Sequence, residues 1–552
     1  MAGQGSLAGG SGVPVVTAAD MVSGHVTLDI SCLDRIYLSG FVPALQTSGG
    51  VVYFLHDHRG NPVTSPAVFE QIGNRFRTAM RAWTRANNIP VVPFKAGDRK
   101  ADVMAPYLDA ARAAGRSMVV AVGTAQEYAQ VWTATKRDTD PGGYPQFSFT
   151  KQQRRVSVFY VYIFDTQVGP GFIKICTYFP YPIKVWLNGH ERAKQQARIQ
   201  GIEFTELSNG FAACDDPAAL QSVCDSFTTG TAQVWFERWM STLPLPLTTA
   251  DRDAGFWWEL SMRQIEVSRT LVFDHDCHAR AFFEALLADN MDLGRPEQVE
   301  LVFRRGQRAG RPTDPPRGGG FKTKIDQRCD LVTLNVFYKN SRLKQYLKDG
   351  RALRVETVVN DARDLGCNRM LSNLGELEAK ARAINTHLLQ TETVGQGTAL
   401  VSPVIERLTT PTVTDDGRKA PALRFGDLRV QALAGALANL LFAVTGITNK
   451  HLRVLMTGLL NRPYSTSQAS YDLTRLARNG LIRRVPNRNQ YLLTTDGQLF
   501  AHLYTKIYDR VLHPLTALDR PNAPPELAHA LATIDRIVNQ RVLEARVPTA
   551  AS

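Results

Sequence analysis

Two carboxylates and a histidine are candidates for metal-assisted phosphodiester chemistry. Asp165 closes Val156–Phe164, an almost continuously apolar run that reads as a strand buried on both faces. Asn188-Gly189-His190-Glu191 opens a helix. Carboxylates converging on Mg²⁺ can organise a water and a leaving oxygen, and a histidine beside them can move a proton. Asp165 and Glu191 would hold the ion and His190 would carry the proton, with Glu127, Glu203 and Asp98 as possible companions. The same residues also have ordinary duties, since a strand-end Asp begins a turn and a His-Glu at a helix start caps it. A metal-dependent nuclease or mobile-element enzyme is therefore the alternative reading. Mg²⁺ is expected only under that alternative; otherwise neither a cofactor nor a metal site is expected. Asp274-His275-Asp276-Cys277-His278 has ligand residue types but lies between two helical runs, where Asp is a common cap. Neither Gly-x-x-x-x-Gly-Lys-Ser/Thr nor Gly-x-Ser-x-Gly occurs, which speaks against an NTPase or a serine hydrolase.

The second chemistry is polyanion binding. Thr448 or Asn449 can cap a helix whose apolar positions are Leu452, Leu455, Leu459 and Leu460. Arg462-Pro463 breaks it. Ser465 is placed to cap a second helix with Tyr471, Leu473 and Leu476 turned inward, and Asn479-Gly480 stops that helix. Leu481–Val485 and Tyr491–Thr494 read as strands joined by a tip at Pro486–Gln490. Arg475, Arg478, Arg483, Arg484 and Arg488 fall between Leu473 and Thr495, where no Asp or Glu occurs. The pattern Leu-x-x-Leu-x-x-x-Gly-Leu-Ile-x-Arg followed by Tyr-x-Leu-Thr resembles the winged helix-turn-helix superfamily. That resemblance implies a helix over residues 465–479 docking in a groove of DNA or structured RNA. Ser467, Gln468, Arg475 and Arg478 would face the polymer, and Arg483, Arg484 and Arg488 would clamp phosphates. A winged helix used only for protein contact is the competing use.

A further basic block spans residues 300–354, with fourteen Lys and Arg against five Asp and Glu, in a chain whose net charge is +13. Its centre interleaves aromatics with cations: Tyr338, Lys339, Arg342, Lys344, Tyr346 and Lys348, followed by Arg351 and Arg354. Rings can stack on bases while cations neutralise phosphates. The plain alternative is a basic hairpin paired with acidic residues elsewhere in the chain. Tyr346-x-Lys348 before Leu353-Arg354-x-Glu356 resembles a segment of phage and plasmid replication initiators. The His-hydrophobe-His motif of nicking enzymes is missing, because His56-Asp57-His58 carries Asp between its histidines, so nicking is not implied. The whole chain is also similar to a group of bacterial proteins from which no activity carries over.

These residues need several domains to position them. A chain of 552 residues exceeds one ordinary core. The expected class is multidomain α/β (or α+β). Its parts are a tail over 1–29, an α/β domain over 30–215 with parallel pairing, and a helical region over 216–300 that includes a long run from Arg252 to Leu271. A basic strand and helix region over 301–395, a linker over 396–422 and a winged-helix domain with C-terminal helices over 423–552 follow. Gly, Pro and Arg over 304–321 read as a mobile loop. Seven scattered cysteines without a CxxC pair fit a reducing compartment, and the expected location is cytoplasmic. No apolar stretch is long enough for a membrane span, so no membrane partner is expected. The expected partner is nucleic acid, with a homodimer possible. A ligand-sensing transcription regulator is a third reading, weakened by the basic block outside the winged helix.

Overall fold

The computed structural model describes residues 24–137, 147–289, 298–304, 321–328, 331–394, 408–413, 417, 419–438, 446–486 and 488–508, with a few isolated positions near residue 530. The expected tail before residue 24, the loop over 305–320, most of the linker and the last C-terminal helix lie outside them. The chain divides into two compact units, one of residues 25–283 and 300–385, the other of residues 1–24, 284–299 and 386–552. It is mixed α/β. Among the described residues no helix is long and apolar enough to cross a membrane.

The first unit is built on a twelve-stranded sheet in the order β10-β11-β12-β13-β14-β9-β1-β6-β5-β4-β3-β2. Its strands are β1 (Val26–Phe41), β2 (Val91–Pro93), β3 (Met118–Lys136), β4 (Phe147–Asp165), β5 (Gly169–Cys176), β6 (Ile183–Asn188), β9 (Glu259–Phe273), β10 (Gln298–Arg304), β11 (Phe321–Arg328), β12 (Leu331–Tyr338), β13 (Ser341–Lys348) and β14 (Ala352–Val359). A separate hairpin pairs β7 (Phe204–Leu207) with β8 (Gly210–Cys214). Helices α1 (Ser48–Val52), α2 (Pro66–Ala86), α3 (Lys100–Ala114), α4 (Gly189–Ile199), α5 (Pro217–Asp225), α6 (Thr229–Met240), α7 (Thr249–Asp253), α8 (Asp276–Asp289) and α9 (Leu374–Val394) complete the order up to residue 394. The sheet joins segments that the sequence reading divided among three regions.

Several expectations are corrected here. Among the described pairings of this sheet whose register is defined, β2 with β3 is parallel and the others, from β3 across to β11, are antiparallel. Val51–Leu55, an apolar run of the length and composition of a strand, is helical, nucleated where the Thr47 hydroxyl accepts from the Gly50 amide. The long helix expected over Arg252–Leu271 is instead the short α7 followed by β9, a strand flanked by β14 and β1. Nearly every side chain from Ile265 to Phe273 is buried there, so the alternation that marks a half-exposed strand is hidden. The tail is also shorter than expected, since β1 begins at Val26.

The second unit carries a two-stranded pair, β15 (Thr412–Val413) and β16 (Lys419–Ala420), then α10 (Leu428–Leu437), α11 (Asn449–Leu460) and α12 (Thr466–Arg478). The hairpin β17 (Ile482–Arg484) and β18 (Tyr491–Leu493) leads into α13 (Thr495–Ile507). Leu433, Leu437, Leu452, Met456, Leu473, Leu476, Phe500 and Tyr504 form its core.

Candidate functional site

The local signals around residues 446–495 set the geometry of that segment. Thr448 caps α11 by accepting from the His451 amide at 3.2 Å. Ser465 and Gln468 form a reciprocal capping box: the Ser465 hydroxyl accepts from the Gln468 amide at 3.2 Å, and the Gln468 side-chain oxygen accepts from the Ser465 amide at 2.8 Å. Ala469, Asp472, Leu473 and Leu476 turn inward. Tyr471, expected inside, is 52% exposed. Ser467, Ser470 and Thr474 share its exposed side of the helix, and Arg483, Arg484 and Arg488 are all exposed on the hairpin.

Not every residue expected at the polymer is free for it. Gln468 gives its oxygen to the cap. The Arg475 guanidinium donates to the Ala422 carbonyl and, at 3.4 Å, to that of Pro421. Arg478 donates to the Lys419 carbonyl at 3.3 Å while its side chain stays exposed. Arg478 ties α12 to β16 and Arg475 ties it to the residues just after that strand, so Arg475 acts there as an internal brace. Asp472 is buried against Arg429 at 2.8 Å and the Tyr464 hydroxyl, so its charge does not face outward.

In the described part of the basic block, Lys324 and Arg354 are buried and Lys344 is engaged with an acidic neighbour. The block's segment Ser341–Lys348 forms the strand β13. Lys344 donates to Glu356 at 2.6 Å and the Tyr346 hydroxyl donates to the same carboxylate at 3.1 Å. Arg354 is 1% exposed; its guanidinium pairs with Asp34 and donates to the Asn209 carbonyl, and its Nε lies 3.6 Å from Glu356. Arg354 is thus corrected from a surface contact to part of a buried network, to which the half-buried Lys344 and Tyr346 are tied through Glu356. Arg342 and Lys348 are half-buried; burial lowers Arg342, and burial together with the Arg354 charge lowers Lys348 to about 8. Tyr338 and Lys339 lie at the turn before β13 and Arg351 at the turn after it. Those turns sit at opposite ends of an eight-residue strand, roughly 25 Å apart, too far for one compact surface.

The catalytic candidates are pulled apart. Asp165, 1% exposed, accepts from the Gln167 amide at 2.9 Å, the Trp239 indole at 2.9 Å and Arg238 at 3.2 Å, and so braces the turn into β5. Glu191 accepts from Arg112 at 3.1 Å and Lys194 at 2.9 Å. His190 turns the other way and reaches Asp34 at 2.6 Å and Ser268 at 3.3 Å. Gly189 permits this: a Cβ there would lie 1.7 Å from the Leu33 carbonyl oxygen, so α4 starts directly against β1. Among the described residues, the metal-ligand groups whose atoms lie within 4.8 Å of one another are His25, Asp274 and His278, and Asp34, Glu266 and Glu356. Asp165 and Glu191 are in neither. Asp34, Glu266 and Glu356 could supply oxygens to a cation, but Arg354, His190, Lys344 and Arg35 already answer their charge. At the other group, Asp274 accepts from His25 at 2.9 Å and His278 at 2.8 Å.

Burial pushes the Asp34 carboxyl up, but Arg354, His190 and the Ser268 hydroxyl outweigh it and hold it well below the usual range. Burial opposes a charged His190, yet neighbouring Cys32 and Asp34 overcome it and push its pKa up to about 9. A raised histidine pKa gives stability that is fully present below its unfolded value of about 6.5 and lost as pH rises through the folded value. The thermal midpoint of this unit is therefore expected to fall between about pH 6.5 and 9, and His190→Gln should flatten that fall. Parallel profiles for wild type and variant would contradict the assignment.

Sequence reasoning missed Asp34, Glu266 and the aromatic row described below, because no local motif surrounds them. The only available signal was a charge inside an apolar run. Comparison with family models, with curated proteins and with solved structures finds no match.

Proposed function

We propose that the protein binds nucleic acid through its second unit, with residues 449–493 acting as a winged helix-turn-helix. One observation carries the reading: three exposed arginines on a short hairpin stand next in sequence to a helix whose outward side offers Ser467, Ser470, Tyr471 and Thr474 and no carboxylate. Hydroxyl groups on such a helix can reach base edges, while arginines on the hairpin can grip the flanking phosphates. The positive end of the helix, with its first amides served by the capping box, adds attraction for phosphate. DNA and structured RNA both meet these terms.

The second basic surface expected over residues 300–354 lends the reading less weight, since Lys344 and Arg354 are spent on Glu356 and Asp34. Catalysis at Asp165, Glu191 and His190 gains no support from their placement. The test is recovery of nucleic acid with the purified full chain, followed by separate DNase and RNase treatment and sequencing of what is protected. Protected fragments of one kind are expected. A preparation that carries none, and that retards neither duplex nor folded oligonucleotides in dilute salt, would overturn the reading.

A further inference from the structure

The register of the large sheet lines up side chains across five strands. Gln264 of β9 stands opposite Tyr37 of β1, Tyr37 opposite Trp186 of β6, Trp186 opposite Phe172 of β5, and Phe172 opposite Tyr162 of β4. Directly opposed residues share a face, so four aromatic rings form one row. The Phe172 and Trp186 rings lie nearly parallel, 10° apart with centroids at 5.7 Å. Ala101, Ala105 and Leu108 of α3 form the opposing wall, and between helix and row runs a cavity of about 680 Å³. That volume is ample for a nucleotide-sized ligand.

The polar groups in this cavity point to what it takes. Glu266 lines it and is 7% exposed. One carboxylate oxygen, Oε1, accepts from the Gln264 amide nitrogen at 3.0 Å. The other, Oε2, is buried with no hydrogen bond and has only the Arg35 Nε as an ionic neighbour at 3.4 Å. A buried carboxylate oxygen left so is costly and calls for a donor. Lys100 belongs to this cavity and also to a second one of about 790 Å³, whose walls carry the exposed Arg81, Lys95 and Arg155. Flat rings, a waiting acceptor and a cationic groove leading away together match a base, its exocyclic amino group and the phosphates beside it.

We propose that this cleft binds an unpaired nucleotide with an exocyclic amino group, the base stacking against the Trp186 and Phe172 row, the amino group donating to Glu266 Oε2, and the strand running on over Arg81, Lys95 and Arg155. The strand rests on the nucleic-acid reading above; the base pocket does not. A free nucleotide offers the same chemistry, and the experiment separates the two sources.

The full chain is titrated by calorimetry with AMP, CMP and UMP, and by anisotropy with labelled single-stranded hexamers of deoxyadenylate and thymidylate. The protein is wild type, Trp186→Leu, Glu266→Gln, a triple Arg81→Ala, Lys95→Ala, Arg155→Ala variant, and a triple Arg483→Ala, Arg484→Ala, Arg488→Ala variant. AMP, CMP and the deoxyadenylate hexamer are expected to bind at least about tenfold tighter than UMP and the thymidylate hexamer. Trp186→Leu should weaken every ligand by about tenfold or more. Glu266→Gln should narrow the preference for amino-bearing bases. The groove triple should weaken hexamers and spare mononucleotides, and the hairpin triple should leave the preference for amino-bearing bases in place. Should a Trp186→Leu protein with wild-type unfolding temperature bind all ligands as before, or should no nucleotide or hexamer bind at millimolar concentration, the pocket is overturned. Mononucleotide binding with hexamers excluded would overturn the strand. Hexamer binding by a protein that ignores both duplex and folded oligonucleotides would uphold the pocket and reject the winged helix.

Discussion

Arg354→Met is expected to lower the stability of the sheet unit by about 3–5 kcal/mol, the cost of removing one partner from a buried ion pair. Arg354 bonds Asp34 and the Asn209 carbonyl and lies beside Glu356, and none of these charged groups reaches water. Deleting the guanidinium leaves Asp34 and Glu356 buried near Glu266 with one cation fewer, so like charges repel where solvent cannot screen them. Arg354→Lys should recover little, because an ammonium cannot reproduce the fork that serves a carboxylate and a carbonyl together. Pairing Arg354→Met with Asp34→Asn should restore part of the loss, since the stranded charge is then gone. Urea unfolding of the three variants measures this. A loss under about 1 kcal/mol for Arg354→Met would show that the network is solvated, contrary to its burial.

The second large effect concerns affinity. Replacing Arg483, Arg484 and Arg488 together by Ala is expected to weaken binding to a duplex or folded oligonucleotide by about 10²–10³ at moderate salt. It should also reduce the salt slope by two to three, about one per phosphate contact. Stability should barely move, because all three side chains are exposed; Arg484 bonds only to its own hairpin, at Asn489 and the Arg488 carbonyl. Arg475→Ala should behave in the opposite way, loosening the segment at Pro421 and Ala422 with a smaller change in salt slope. Fluorescence anisotropy on both variants, with thermal melts alongside, separates gripping arginines from bracing ones. Equal affinity of the triple variant and wild type would assign the hairpin to protein contact.

What the sequence made legible was local. Ser465 as an N-cap, Asn479-Gly480 as a stop and the short strands around Pro486 are signals read within one or two turns of chain, and each appears where expected. Val156–Phe164 lies within a buried strand for the same reason. What stayed hidden was the choice of partner. Arg354 looked like a surface cation in a basic block because its counter-charge, Asp34, lies 320 residues earlier. Lys344 and Tyr346 looked outward-facing because their acceptor, Glu356, sits on the next strand in register. Asp165 and Glu191 looked alike as strand-end and helix-start acids, yet side-chain direction separates them from each other and from His190. The aromatic row joins residues 37, 162, 172 and 186, which come together only once the order of strands is known.

The central claim is that the second unit grips a phosphodiester backbone. The most direct measurement is the wild-type dissociation constant for a labelled duplex and for a folded RNA across salt from about 50 to 200 mM. Three phosphate contacts predict a loss of about 40-fold in affinity over that range, linear in the logarithm of salt. Binding that is absent at the lowest salt, or that stays flat across the series, would contradict it.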